Sequence, residues 1–68
     1  MNKGMNMTHT EQLDFLTSRF PDANSILKVD GLWEVNEIIG DISEERDLYA
    51  YVPGTKKFNF IGHISVEI

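Results

Sequence analysis

The longest regular pattern of apolar and polar residues lies at the C-terminal end of the chain. Apolar residues and one glycine fill every second position over residues 58–68. A period of two is typical of a strand that is buried on one side. The predicted buried row consists of Phe58, Phe60, Gly62, Ile64, Val66 and Ile68. The opposite side of the strand consists of Asn59, Ile61, His63, Ser65 and Glu67.

A helical period precedes the strand patterns, near the N-terminus. Thr8 and Glu11 have the spacing of a capping box, so we expect a helix to begin near His9. Pro21 disfavours helical backbone geometry at Phe20 and should end the helix there. The apolar stripe of this helix consists of Leu13, Leu16 and Phe20, with Phe15 beside it.

Residues 25–29 and 32–39 are rich in strand-forming residues and are separated only by Asp30-Gly31. Asp-Gly tolerates the positive φ angles of a type I′ turn, so the two segments should form a hairpin. The stem of Lys28 is expected to lie on the indole of Trp33. The predicted pairs are Val29 with Leu32, Lys28 with Trp33, Leu27 with Glu34, and Ile26 with Val35.

Residues 40–47 are polar and predict a loop, and residues 47–52 predict a third strand that turns back at Pro53-Gly54. A five-residue loop would pair Val52 with Phe58 and place Tyr49 and Tyr51 on the side opposite that phenylalanine. A four-residue loop would instead pair Tyr51 with Phe58 and place these rings on one side, because a slip of one residue exchanges the sides. We favour the five-residue loop, which adds three apolar residues to the core: Leu48, Ala50 and Val52.

These elements predict an α+β fold in which one N-terminal helix packs on a four-stranded, mostly antiparallel β-meander. Residues 1–7 have no periodicity and are expected to form a flexible lead-in, and residues 8–68 one small domain. A chain of 68 residues has a thin core, and without cysteine it has no disulfide to stabilise it. Good packing or self-association should supply that stability.

The whole net charge of −5 lies in the second part of the chain, residues 29–68. Residues 29–68 contain three basic and eight acidic residues. This balance disfavours duplex nucleic acid and anionic membranes, and it favours a basic partner. The chain has neither the apolar stretch of a signal peptide nor the roughly 20 apolar residues of a membrane span, so we expect a cytoplasmic protein.

The first functional hypothesis is a non-enzymatic interaction protein of bacterial or phage type, acting as an inhibitor or assembly accessory. An acidic sheet face that carries a tryptophan would suit a basic protein partner, since Trp and Tyr dominate binding hot spots and charge accelerates encounter. The simpler alternative is a solvated acidic face with the tryptophan in the core. The candidate partner-binding residues are Trp33, Glu34, Glu37, Asp41, Glu44, Glu45, Tyr49 and Tyr51.

The segment Lys56-Lys57-Phe58-Asn59-Phe60-Ile61 resembles the RNP1 strand of cold-shock proteins. The resemblance implies binding of single-stranded nucleic acid, with bases stacked on Phe58 and Phe60 and phosphates held by Lys56 and Lys57. The order of elements departs from that family, in which this strand comes early and no helix precedes it. The alternative is that both phenylalanines belong to the core.

A third hypothesis is a homodimeric structural protein without a ligand, because a four-stranded sheet has edges that must be paired or protected.

Catalysis is not expected. His63, Ser65 and Glu67 alternate on one side of the last strand, which is the ordinary outward side of a strand, and a short chain leaves little room for a pocket and an oxyanion hole.

Residues 41–47 place oxygen-bearing side chains at every second position, as the start of an EF-hand loop does. The pattern then fails, because Arg46 occupies the position that needs glycine and Val52 the one that needs glutamate. There is also no glycine-rich phosphate loop. We therefore predict neither a metal site nor a bound cofactor.

Overall fold

The computed structural model describes residues 6–67, so residues 1–5 of the predicted lead-in and Ile68 of the predicted buried row lie outside it. The four strands form one antiparallel sheet in the order β1-β2-β3-β4, which confirms the α+β meander. The elements are α1 (His9–Arg19), β1 (Ser25–Val29), β2 (Leu32–Ile39), β3 (Ser43–Val52) and β4 (Lys57–Glu67).

The helix has the predicted limits. The Glu11 amide donates to the Thr8 hydroxyl at 3.2 Å, and the Thr8 amide donates to the Glu11 carboxylate at 2.8 Å, which completes the capping box. Phe20 caps the other end. Eleven residues make a helix that is marginal alone, so α1 depends on the sheet. Within residues 6–67 no helix is long and apolar enough to cross a membrane.

The core between α1 and the sheet is built around Trp33, whose side chain is only 1% exposed. Leu16 and Val35 are buried with it. The indole N–H donates to the Gln12 side-chain oxygen at 2.9 Å, and the Gln12 amide donates to the Met7 carbonyl at 2.8 Å. The apolar stripe of the helix does not predict Gln12 as a core residue. A polar side chain is buried when its hydrogen bonds are satisfied, and the partners of Gln12 come from other segments of the fold.

The first hairpin has the predicted register, from Val29 opposite Leu32 to Ile26 opposite Val35. Asp30 and Gly31 have φ angles of 52° and 82°, as a type I′ turn requires. The Lys28 ammonium lies 5.7 Å from the centre of the Trp33 ring, on the side that the helix covers.

The last hairpin has the four-residue loop, so the five-residue prediction is wrong. Val52 pairs with Lys57 and Tyr51 with Phe58. The turn is closed by Thr55, whose hydroxyl donates to the Val52 carbonyl at 2.7 Å and accepts from the Lys57 amide at 3.0 Å. These local hydrogen bonds stabilise the shorter loop, and hydrophobic patterning alone does not reveal them.

A β-bulge divides the predicted buried row of β4. Phe60 pairs with Tyr49 and Gly62 pairs with Leu48, which leaves Ile61 as an extra residue. Phe58 and Phe60 therefore lie on the helix side of the sheet, whereas Gly62, Ile64 and Val66 lie on the opposite side. The prediction of one continuous row is wrong because an inserted residue exchanges the sides.

Strand β3 begins at Ser43, four residues before the predicted start, and the loop is shortened to residues 40–42. The Ile42 amide donates to the Ile39 carbonyl at 3.1 Å, and Gly40 has a φ angle of 56°. The acidic segment 43–47 has low strand propensity, but it is paired on both sides by β2 and β4, and pairing outweighs propensity.

Asn6 and Met7, at the end of the predicted lead-in, contact the last hairpin. The Met7 amide donates to the Tyr51 hydroxyl at 2.8 Å, and that hydroxyl donates to the Thr55 carbonyl at 2.5 Å. The Asn6 side chain accepts from the Gly54 amide. Tyr51 therefore connects the start of the helix to the last hairpin.

The bond between Gln12 and Trp33 is tested by a double-mutant cycle. Gln12→Ala leaves the buried indole N–H without a partner, so we expect the free energy of unfolding to fall by about 1–3 kcal/mol. In a Trp33→Phe background the same change should cost clearly less, because no N–H remains to satisfy. Urea unfolding followed by circular dichroism measures both steps. Equal costs in the two backgrounds would refute a role for this hydrogen bond.

Candidate functional site

The helix covers only part of its side of the sheet and leaves a groove beyond its C-terminal end. The groove has a volume of about 380 Å³ and lies between residues 19–23 and strands β2, β3 and β4. Val35 and Phe20 form part of its apolar lining. We call it the acidic groove, because four of its lining residues are carboxylates: Asp22, Glu37, Glu45 and Asp47.

The strand alternation explains why these carboxylates meet. Trp33 and Tyr49 are paired on the helix side, and alternate residues of β2 and β3 follow them on that side, which brings Glu37, Glu45 and Asp47 into the groove. Asp22 comes from the segment after the helix. His63 joins them because the bulge turns it to the helix side, opposite Asp47.

His63 is held between two carboxylates. Its Nδ1 lies 2.5 Å from an Asp47 oxygen and its Nε2 lies 2.6 Å from a Glu45 oxygen. The Ser65 hydroxyl donates to the other Glu45 oxygen at 2.8 Å. Both ring nitrogens donate hydrogen bonds only in the protonated imidazole, so this arrangement favours the charged form.

The environment shifts the pKa values of two members of this cluster. Hydrogen bonds to Asp47 and Glu45 raise the pKa of His63 above its ordinary 6.5. Hydrogen bonds from Ser43, Ser65 and His63 lower the pKa of Glu45 below its ordinary 4.5. The His63 side chain is 44% exposed, so solvent screens these interactions.

The geometry does not form a Ser-His pair. Ser65 donates to Glu45 rather than to His63, and both nitrogens of His63 are engaged by carboxylates. An imidazolium in this state has no lone pair with which to accept a proton. Over residues 6–67, no group of three or more His, Cys, Asp or Glu side chains is arranged to hold a metal ion.

The structure distributes the predicted partner-binding residues over several places. Glu37 and Glu45 lie in the acidic groove, whereas Glu34 and Glu44 lie on the opposite side of the sheet, where Glu44 pairs with Arg46 at 3.3 Å. Asp41 is exposed in the 40–42 loop. The remaining three do not face solvent freely: Trp33 is in the core, as the alternative interpretation had it, and Tyr49 and Tyr51 are half-buried.

Asp22, Asp47 and His63 belong to the groove but were not among the predicted partner-binding residues. Strand alternation places Asp47 on the same side as Glu45, and that signal was available in the sequence. His63 depends on the bulge, which no local pattern announces. Asp22 depends on where the segment after the helix packs.

Three of the four predicted nucleic-acid residues line a second groove on the other side of the helix end. It has a volume of about 500 Å³, and Lys56, Lys57 and Phe58 line it. Phe60 is 59% exposed and packs against Tyr49, with ring centres 5.6 Å apart. We call this the aromatic groove, because four rings line it: Phe15, Phe20, Tyr49 and Phe58.

Within residues 6–67 no helix packs on the side of the sheet opposite α1, and that side is partly apolar. Leu27, Ile38 and Ile64 are 51%, 49% and 44% exposed on it. Glu34, Glu44 and Arg46 separate these apolar residues, so the surface is mixed rather than a continuous apolar patch.

Comparison of the chain with protein-family models, curated proteins and solved structures found no match. The functional interpretation therefore depends on the geometry of the two grooves.

The His63 cluster predicts a pH-dependent stability. Because the pKa of His63 is raised, the interactions of its protonated ring stabilise the fold fully below pH 6.5. This contribution to stability is lost as the pH rises through the raised pKa. Because the pKa of Glu45 is lowered, its interactions stabilise the fold fully above pH 4.5. This contribution to stability is lost as the pH falls through the lowered pKa. The destabilisation caused by His63→Asn should therefore be largest between pH 4.5 and 6.5 and should shrink at alkaline pH.

Thermal unfolding of the wild type and His63→Asn from acidic to alkaline pH measures the difference. His9→Gln is the control, because it removes the other histidine and should leave the pH dependence in place. A gap between wild type and His63→Asn that is constant from acidic to alkaline pH would contradict the prediction.

Proposed function

We propose that the protein is a small, non-enzymatic interaction module that binds a basic segment of a protein partner in the acidic groove. We further propose a bacterial or phage type of protein that acts in the cytoplasm as an inhibitor or assembly accessory. The observation that supports the binding proposal is the convergence of four carboxylates on one cavity of about 380 Å³, whose lining also includes the apolar residues Val35 and Phe20.

The chemistry of the groove suits a lysine or arginine side chain. Such a side chain has an apolar stem, which can lie against Val35 and Phe20, and a charged head, which can reach the carboxylates. Among the described residues that line the groove, Arg19 is cationic and His63 becomes so when it is protonated. The groove therefore remains negative even when His63 is protonated, and an incoming cation is attracted.

Glu37 and Asp22 are the carboxylates best placed to receive that cation. Glu45 and Asp47 are already engaged by His63, at 2.6 and 2.5 Å. Within residues 6–67, neither Glu37 nor Asp22 takes part in an ion pair. Both side chains are also exposed, so a partner can approach them without rearrangement of the core.

The test is a titration of the isotope-labelled protein with an arginine-rich peptide, in which binding is monitored by NMR through the amide chemical shifts. We expect shifts at groove residues, and we expect binding to weaken with added salt. The double variant Asp22→Asn, Glu37→Gln should bind the peptide roughly 3- to 30-fold more weakly, because it loses two exposed ion pairs.

The matched control is the double variant Glu34→Gln, Glu44→Gln, which loses the same charge on the opposite side of the sheet. It should bind the peptide nearly as well as the wild type. Equal losses in the two variants would mean that the peptide responds only to net charge, and the proposal would then fail. Absence of binding at low salt would also overturn it.

The homodimer is a second candidate, supported by the exposed apolar side chains opposite the helix. Burying Leu27, Ile38 and Ile64 against a second copy would add to a thin core. Sedimentation over the micromolar range is the test, with Leu27→Ser and Ile64→Ser as variants that should weaken association. A strict monomer at every concentration would exclude this candidate.

A further inference from the structure

We propose that the aromatic groove binds an aromatic ring that carries a phosphate, that is, a nucleotide, either free or at the end of a single strand. This inference concerns other residues than the protein-binding proposal and does not depend on it. The groove lies between the C-terminal half of α1 and the β3–β4 hairpin, and its volume of about 500 Å³ is within the range of small-molecule sites.

The rings of the groove provide surfaces on which a base can stack. Phe15 and Phe58 are stacked with ring centres 5.3 Å apart, and Phe20 lies 5.4 Å from Tyr49. Phe15 is nevertheless 40% exposed, and Phe60, which continues the row beyond Tyr49, is 59% exposed. The exposed parts of these rings offer stacking that is tolerant of base identity.

The charge of the groove is opposite to that of the whole protein. Arg19, Lys56 and Lys57 line it and no carboxylate does, although the chain as a whole carries −5. Three of the six lysines and arginines of the chain therefore surround one cavity. Burial raises the pKa of the Tyr49 hydroxyl, which stays neutral and adds no negative charge.

Lys56 and Lys57 are available to a ligand of the aromatic groove, whereas Arg19 also lines the acidic groove. Across residues 6–67, the ion pairs involve Arg46 and His63, and none involves Arg19, Lys56 or Lys57. Glu11 and Asp14 border an adjoining depression that Arg19 and Lys56 also line. A phosphate is therefore best accommodated near Lys57, which lines the aromatic groove but not the adjoining depression.

The site selects an unpaired base. The cavity is bounded by the helix on one side and the hairpin on the other, so a ring must enter singly to reach Phe15 and Phe58. A base in a duplex is stacked between its neighbours and cannot do so without being extruded. The few cations also cannot follow a long phosphate backbone, which favours a nucleotide or a strand end.

The experiment is a titration of the labelled full chain with AMP, with adenosine and with inorganic phosphate, followed by amide chemical shifts. AMP should shift residues of the aromatic groove, Phe58 and Asn59 among them, and adenosine or phosphate alone should bind at least roughly tenfold more weakly, because each supplies half of the contacts. A short oligodeoxyadenylate, with and without a terminal phosphate, distinguishes a strand end from a free nucleotide as the source.

Two variants divide the site into its parts. Lys57→Gln should weaken AMP binding roughly 3- to 10-fold and should reduce its salt dependence. Phe15→Leu keeps an apolar side chain at this position of α1 but removes a stacking face, and it should weaken the binding of AMP and adenosine alike by roughly fivefold or more. The control is Lys28→Gln, which removes a lysine that lies over Trp33 and outside the groove.

The outcomes separate the two proposals. Glu37→Gln should leave the affinity for AMP unchanged. Lys57→Gln should leave the affinity for the arginine-rich peptide unchanged. Absence of shifts at millimolar AMP, shifts spread evenly over the surface, or an equal loss in Lys28→Gln would overturn the nucleotide site. A failed peptide titration beside intact AMP binding would remove the protein-binding proposal only.

Discussion

The docking of the helix on Trp33 is the interaction on which the rest of the structure depends. An eleven-residue helix has little stability of its own. The sheet stabilises this helix because Leu16 is buried against it and the Gln12 side chain accepts a hydrogen bond from the Trp33 indole N–H. The same glutamine binds the Met7 carbonyl, and Met7 binds Tyr51, so the helix start is joined to the last hairpin. One buried polar side chain thus connects the helix, the core and the turn.

The position of the helix end creates two grooves of opposite charge. Arg19 and Phe20 line both, since they lie at the C-terminal end of α1 with a groove on either side. One side meets carboxylates from β2 and β3, and the other meets lysines from the 53–56 turn and β4. In a chain this small, side chains from different elements must share a surface cavity to form any site, and the helix end is where they meet.

The bulge at Ile61 determines which chemistry each groove receives. Before it, Phe58 and Phe60 face the helix and supply rings; after it, His63 and Ser65 face the helix and bind Glu45 and Asp47. Without the extra residue, Gly62 and Ile64 would occupy those positions. A bulge next to a cluster of polar side chains commonly re-aims them in this way.

Local signals in the sequence determined the helix limits, through Thr8, Glu11 and Pro21, and the first hairpin, through Asp30-Gly31, because each depends on neighbouring residues alone. Only the tertiary structure decided the bulge, the loop length, the strand role of residues 43–47 and the burial of Gln12. The bulge, the strand role of residues 43–47 and the burial of Gln12 depend on contacts between different elements. The loop length depends on the hydrogen bonds of Thr55, which apolar patterning does not reveal. The carboxylates of β3 were therefore partly predictable, whereas their convergence with His63 and Asp22 was not.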